Sequence, residues 1–131
     1  MTWRFEPITG KTAEIVETIM NSQEMPDDPA LQFKLRLCIE EVVENIVSYA
    51  YNNGEGPMEA GIECGNGNIS IVFKDEGVPF DPLAKPDPDI TLSAEDRPIG
   101  GLGIFLCKQM MDDVRYSYED GHNVLCLVKN L

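Results

Sequence analysis

The feature that most limits what this chain can fold into is the segment 29–52, an amphipathic helical stripe with both ends marked. Asp28 offers an N-cap carboxylate, and Pro29 brings the fixed φ that suits a first helical residue. Asn53-Gly54 provides the left-handed stop at the other end. At 3.6 residues per turn, Leu31, Leu35, Cys38, Val42, Ile46 and Tyr49 fall on one apolar stripe. Beside it runs a row of Glu41, Asn45, Ser48 and Asn52, while Glu40 and Glu44 fall on the far side. A long helix with one apolar stripe must lie against another layer.

The rest of the chain supplies that layer. Residues 2–8 read as a strand and 11–20 as a first helix, with Ile15, Val16, Ile19 and Met20 at helical spacing. Strands at 58–64 and 68–74 flank the turn Gly65-Asn66-Gly67. Residues 75–98 are rich in Pro, Asp and Gly, and a loop this long inside a compact domain is uncommon unless it is functional or disordered. Gly100-Gly101-Leu102-Gly103 opens a third helix to about residue 112, and a hairpin at 114–118 and 124–129 turns at Asp120-Gly121. The order predicts an α+β, two-layer sandwich: a mixed, mostly antiparallel sheet with three helices on one face. No repeat or internal boundary appears, so 1–131 is expected to be one domain.

Bulk properties remove several function classes. The net charge of −13 repels nucleic acid and anionic lipid, and makes both poor partners. No apolar run reaches membrane-spanning length, and the start lacks a basic-then-apolar leader, so a cytoplasmic location is expected. Cys38, Cys64, Cys107 and Cys126 are scattered without a C-x-x-C pair, which suggests buried free thiols. With His122 as the single histidine, a His-based triad or zinc site lacks partners. Lys74 and Lys85 read as surface lysines, and Met110-Met111 as core filler.

Three short motifs carry chemistry. Glu41-x-x-x-Asn45 sets a carboxylate and a carboxamide one turn apart, a pair able to orient a nucleophile and ligate a metal; alone, it reads better as a solvated helix edge. Asp75-x-Gly77-x-Pro79-Phe80-Asp81-Pro82 follows a buried strand, so a carboxylate at the strand end can accept from a flat ligand. Gly100-Gly101-Leu102-Gly103 opens a helix, where free N–H groups suit phosphates. Each is weak alone. In this order and spacing they resemble the N, G1 and G2 boxes of the GHKL ATPases, and nearly the whole chain is similar to the single-domain anti-sigma-factor serine/threonine kinases.

That resemblance implies a Bergerat-type ATP-binding fold using ATP and Mg²⁺. It implies Glu41 as general base, Asn45 as the Mg²⁺ ligand and Asp75 as acceptor from the adenine amino group. Gly77 would let the backbone pass the base, and Gly101 and Gly103 would present N–H groups to the phosphates. Pro79, Gly100 and Leu102 complete the expected nucleotide contacts, with Arg97 and Lys108 as local cations and residues 76–99 as the lid. The implied partners are an antagonist (anti-anti-sigma) protein as substrate and a sigma factor; the family often forms homodimers, although no residue here points to one. The alternative is an ATP-dependent binding switch without phosphoryl transfer. Two departures stand out: Ser48 and Tyr49 replace a frequent histidine, and Val124 is expected where the last strand commonly offers threonine near the adenine.

Overall fold

A computed structural model describes residues 1–51, 55–84 and 102–131. The elements follow the order β1 (Thr2–Phe5), α1 (Thr12–Met20), α2 (Pro29–Tyr49), β2 (Met58–Gly65), β3 (Asn68–Asp75), α3 (Leu102–Met110), β4 (Asp113–Glu119) and β5 (His122–Asn130). The five strands form one sheet in the order β1-β2-β3-β5-β4. All four pairings are antiparallel, so the sheet is not mixed among the described residues.

Period-two alternation decides which face is covered. Met58, Ala60 and Ile62 of β2, Ile69, Ile71 and Phe73 of β3, and Leu125 and Leu127 of β5 are all buried. They join Ile15, Val16 and Ile19 of α1 and Leu35, Ile39, Val42 and Val43 of α2 in one core. The three helices thus cover a single face. Both hairpins turn where the sequence places two successive positive-φ residues: Asn66 (φ 54) with Gly67 (φ 79), and Asp120 (φ 52) with Gly121 (φ 80). That pair matches the right-handed twist of the flanking strands. No described helix is long and apolar enough to cross a membrane.

Element ends differ from the sequence expectation for local reasons. β1 stops at Phe5 because Pro7 has no N–H to give a ladder, although Ile8 just beyond is fully buried. Residues 52–54 lie outside the description, but α2 already ends at Tyr49. There the chain after β3 crosses the helix end, and Val78 N donates to the Ala50 carbonyl at 3.1 Å. α3 ends at Met110 because Asp112 N is drawn into the sheet by the Val128 carbonyl at 2.9 Å.

The start of α2 is as expected, with Asp28 Oδ1 accepting from Ala30 N at 3.1 Å and Leu31 N at 3.3 Å. Asp28→Ala should therefore lower the unfolding free energy by about 1 kcal/mol in urea titrations, the usual worth of an N-cap. A loss below a few tenths would mean that the cap does not hold this helix.

Candidate nucleotide site

β3 ends on Asp75, which is only 5% exposed. Its Oδ1 accepts from Gly77 N at 2.9 Å and from Asn123 Nδ2 at 2.9 Å. Asp75 also helps to line a cavity. Burial pushes the Asp75 carboxyl above its ordinary range, while the bonds from Asn123 and Gly77 pull the other way.

Asn123 is the residue that sequence reasoning missed. It stands directly opposite Asp75 in the β3–β5 register, whereas Val124 pairs with Lys74 and points to the other face. The expectation for Val124 is thus corrected by one residue: the polar side chain beside Asp75 is Asn123. Besides Asp75, its Nδ2 donates to the Val78 carbonyl at 2.8 Å. Its Oδ1 accepts from Phe80 N at 3.0 Å and from the Tyr116 hydroxyl. A carboxamide has two donors and two lone pairs, and here all are used. The signal was available in the alternation of β5, where Asn123, Leu125 and Leu127 share one buried face.

The cavity beneath Asp75 is walled by Val42, Asn45 and Ile46 of α2, Ile104 of α3 and Phe73 of β3. Tyr49 and Phe80 close its outer side, their ring centroids 6.2 Å apart. The partly open cavity holds about 40 Å³, room for a few waters. Tyr49, expected on the buried stripe, is 59% exposed and serves instead as this outer wall.

Gly77 meets a packing constraint of its own. A Cβ there would collide with the backbone of Ala50, so glycine permits the close crossing over the end of α2. Gly103 is equally constrained, since a Cβ would run into the Glu41 carboxyl. Glu41 therefore packs against the first turn of α3, one helical turn from Asn45 in the cavity. It lines an adjoining groove between α1, α2 and α3.

Glu40 and Glu44 line that same groove, which corrects their placement on a far side. Burial, and then the charge of Glu44, raise the Glu41 carboxyl above its ordinary range. Of the other expected contacts, Pro79 follows Val78 on the exposed loop rim. Leu102 begins α3. Arg97, Gly100 and Gly101, and lid residues 85–99, lie outside the described residues, as does Asn52.

Mg²⁺ fits this donor set only in part. Among the described residues no cluster of three acidic, His or Cys side chains could hold a metal alone. An ion that keeps several waters and binds phosphate oxygens needs only one or two protein oxygens, and the Asn45 carboxamide can supply one.

A five-stranded antiparallel sheet under three helices, with a buried carboxylate at a strand end facing a helix-lined cavity, defines a nucleotide-binding domain. The chain belongs to the histidine kinase-like ATPase domain family, whose pattern matches residues 9–129. It is similar to the serine/threonine-protein kinase BtrW of Bordetella bronchiseptica, 31% identical over 101 residues, 76% of this chain and 71% of that protein. It is also similar to the serine-protein kinase RsbW of Bacillus cereus, 32% identical over 95 residues, 70% of this chain. The chain covers 59% of the length of that RsbW. Among solved structures, the RsbU and RsbW domains of Rv1364c from Mycobacterium tuberculosis share the fold, with a TM-score of 0.62 at 18% identity. That match covers 100% of this chain and 32% of the other.

Replacing Asn123 with leucine should cost about 1–3 kcal/mol, the scale of leaving buried polar partners unpaired, here Asp75, Phe80 N and the Tyr116 hydroxyl. Asn123→Asp should do worse near neutral pH, because it sets a second carboxylate against Asp75. Equal stability of both variants and wild type would remove Asn123 from this role. A pH series adds a signed check. A carboxyl whose folded value lies above its unfolded one binds its proton more tightly when folded. Its contribution is therefore favourable at low pH and is lost as pH rises from 3.8 through the raised value of Asp75. Asp75→Asn should remove its share of this slope in the nucleotide-free protein.

Proposed function

We propose that this chain is an ATP- and Mg²⁺-dependent serine/threonine protein kinase of the anti-sigma, partner-switching kind. Its substrate is a small antagonist protein, and a sigma factor is its second partner. Residues 1–131 act as one domain, in the cytoplasm and without nucleic acid, in keeping with the net charge of −13.

The observation that carries this reading is the seating of Glu41. It packs on Gly103 at the start of α3, beside the groove and one turn from Asn45 in the Asp75 cavity. A base in that place lies where the phosphate end of a bound nucleotide meets an approaching hydroxyl. Asp75 Oδ2 accepts from the adenine amino group, and the apolar walls Val42, Ile46, Phe73 and Ile104 take the faces of the ring. The first-turn N–H groups of α3, around Gly103, point toward phosphate oxygens.

Glu41 takes the proton from the partner's hydroxyl as its oxygen attacks the γ-phosphorus and ADP leaves. Bound Mg²⁺, held in part by Asn45, would supply charge neutralisation for a polyanion that meets an acidic protein. The raised Glu41 carboxyl suits a base working near neutral pH, because a stronger base accepts a proton more readily. Most of the rate gain in such a site comes from positioning.

Three substitutions test this reading. Glu41→Gln keeps size and hydrogen-bonding shape, so Mg-ATP binding should persist while transfer of labelled phosphate to candidate partners falls about a hundredfold or more. Asn45→Ala should lose both binding and transfer. Asp75→Asn should abolish most of the thermal stabilisation by saturating Mg-ATP, which is about 2.7 kcal/mol at a hundredfold excess over the dissociation constant. Wild-type transfer by Glu41→Gln would remove it as the base. Absence of any transfer, with partner affinity still set by ATP against ADP, would favour a binding switch.

A further inference from the structure

Four cysteines are free, but they are not alike. Cys64 is exposed and Cys126 half-buried, whereas Cys38 on α2 and Cys107 on α3 are each 1% exposed. The expectation of four buried thiols therefore holds only for this last pair. The two belong to different helices, yet Cys107 Sγ lies 3.9 Å from the Cys38 carbonyl. Both side chains line one groove between the helices. The nucleotide reading uses neither.

Their place in the two helices is what gives them consequence. Cys38 is three residues before Glu41, and Cys107 is four residues after Gly103, so each is one turn from the Glu41–Gly103 packing. Both also line the floor of the groove between α1, α2 and α3, about 570 Å³ in volume, with Val16, Leu37 and Leu106 around them. A small uncharged oxidant can reach sulfur by that route although the thiols are buried.

We propose that Cys38 and Cys107 form an oxidisable dithiol that closes to a disulfide with a hydroperoxide, and that the bond resets the spacing of α2 and α3 beside Glu41. The thiols are unequal. The neighbouring Cys107 thiol holds Cys38 below the ordinary thiol range, and the same proximity together with burial pushes Cys107 up. Cys38 is thus the attacking sulfur, since the thiolate is the nucleophile.

The Cys38 thiolate attacks one peroxide oxygen, the O–O bond breaks, and the departing oxygen leaves as water after taking a proton. Cys38 is then a sulfenic acid. Cys107 sulfur attacks that sulfur, the S–O bond breaks, and the hydroxide leaves as a second water with the Cys107 proton. Two thiols lose two electrons, and one peroxide is reduced to two waters. A disulfide draws sulfur to sulfur at about 2.05 Å, far inside non-bonded contact. Closure therefore draws α3 toward α2 one turn from the place where Gly103 lies against the Glu41 carboxyl.

The test uses full-length Cys64→Ser/Cys126→Ser protein, so that only the pair reports. Hydrogen peroxide should take the free thiols from two per chain to none, and peptide mapping should find 38 linked to 107. Dithiothreitol should restore both thiols. Wild-type protein mapped in the same way guards against a poorly folded double variant. Phosphoryl transfer should fall on oxidation and return on reduction, since a displacement of about 1 Å can cost on the order of a hundredfold in rate. Two thiols surviving peroxide, or sulfinic acid in place of the 38–107 link, would overturn the dithiol. A formed link with unchanged transfer would overturn its control of the site. The thiol count and the peptide map do not depend on the kinase reading, so reduced protein that transfers no phosphate would sink that reading while the link still decides the dithiol.

Discussion

The nucleotide site depends on a buried carboxylate facing a buried carboxamide. Asp75 and Asn123 end adjacent antiparallel strands in direct register, so the sheet itself brings them together. Asn123 then spends its remaining capacity on Val78, Phe80 and Tyr116, tying the loop after β3 to the sheet edge. Remove the amide and the loop loses its anchor while Asp75 keeps its burial. An internal charge of this kind lasts only where its partners are fixed before any ligand arrives.

A second constraint is close approach. The loop after β3 crosses the end of α2 at Gly77, and the start of α3 presses on Glu41 at Gly103. Both glycines leave out a side chain where two pieces of backbone, or a backbone and a carboxyl, must nearly touch. The cavity lies between these two crossings. Its walls are thus set largely by the C-terminal half of α2, which contributes Asn45 and much of the apolar lining, with Glu41 just before them.

Much of the fold was legible in the sequence, because caps, hairpin turns and apolar periodicity are local signals. Asp28-Pro29, Asn66-Gly67 and Asp120-Gly121 each mark their boundary correctly. What escaped was non-local. The position of Asn123 against Asp75 depends on register between strands separated by most of the C-terminal half of the chain, and a one-residue error moved the assignment to the wrong face. The seating of Glu44 beside Glu41 was hidden because a helical projection shows one helix, not the groove it makes with two others. The exposed Tyr49 was misplaced because its partner, Phe80, comes from a loop with no periodic signal. Of the candidate site, Glu41, Asn45, Asp75, Gly77 and Gly103 could be singled out by motif, whereas the packing constraint at each glycine could not, because it depends on a neighbour distant in sequence.

The Tyr49–Phe80 wall has a kinetic meaning. With those rings in place the space beside Asp75 is far smaller than a purine. A nucleotide entering there would need a form in which one ring has turned away, and its apparent affinity would be reduced by the fraction of molecules in that form. The same rings close behind the base once it is seated, so departure waits for the same movement. Exchange of one nucleotide for another would thus be paced by a side-chain rotation that belongs to the protein. Spent and fresh nucleotide would share that clock, whatever the difference in how tightly each is held.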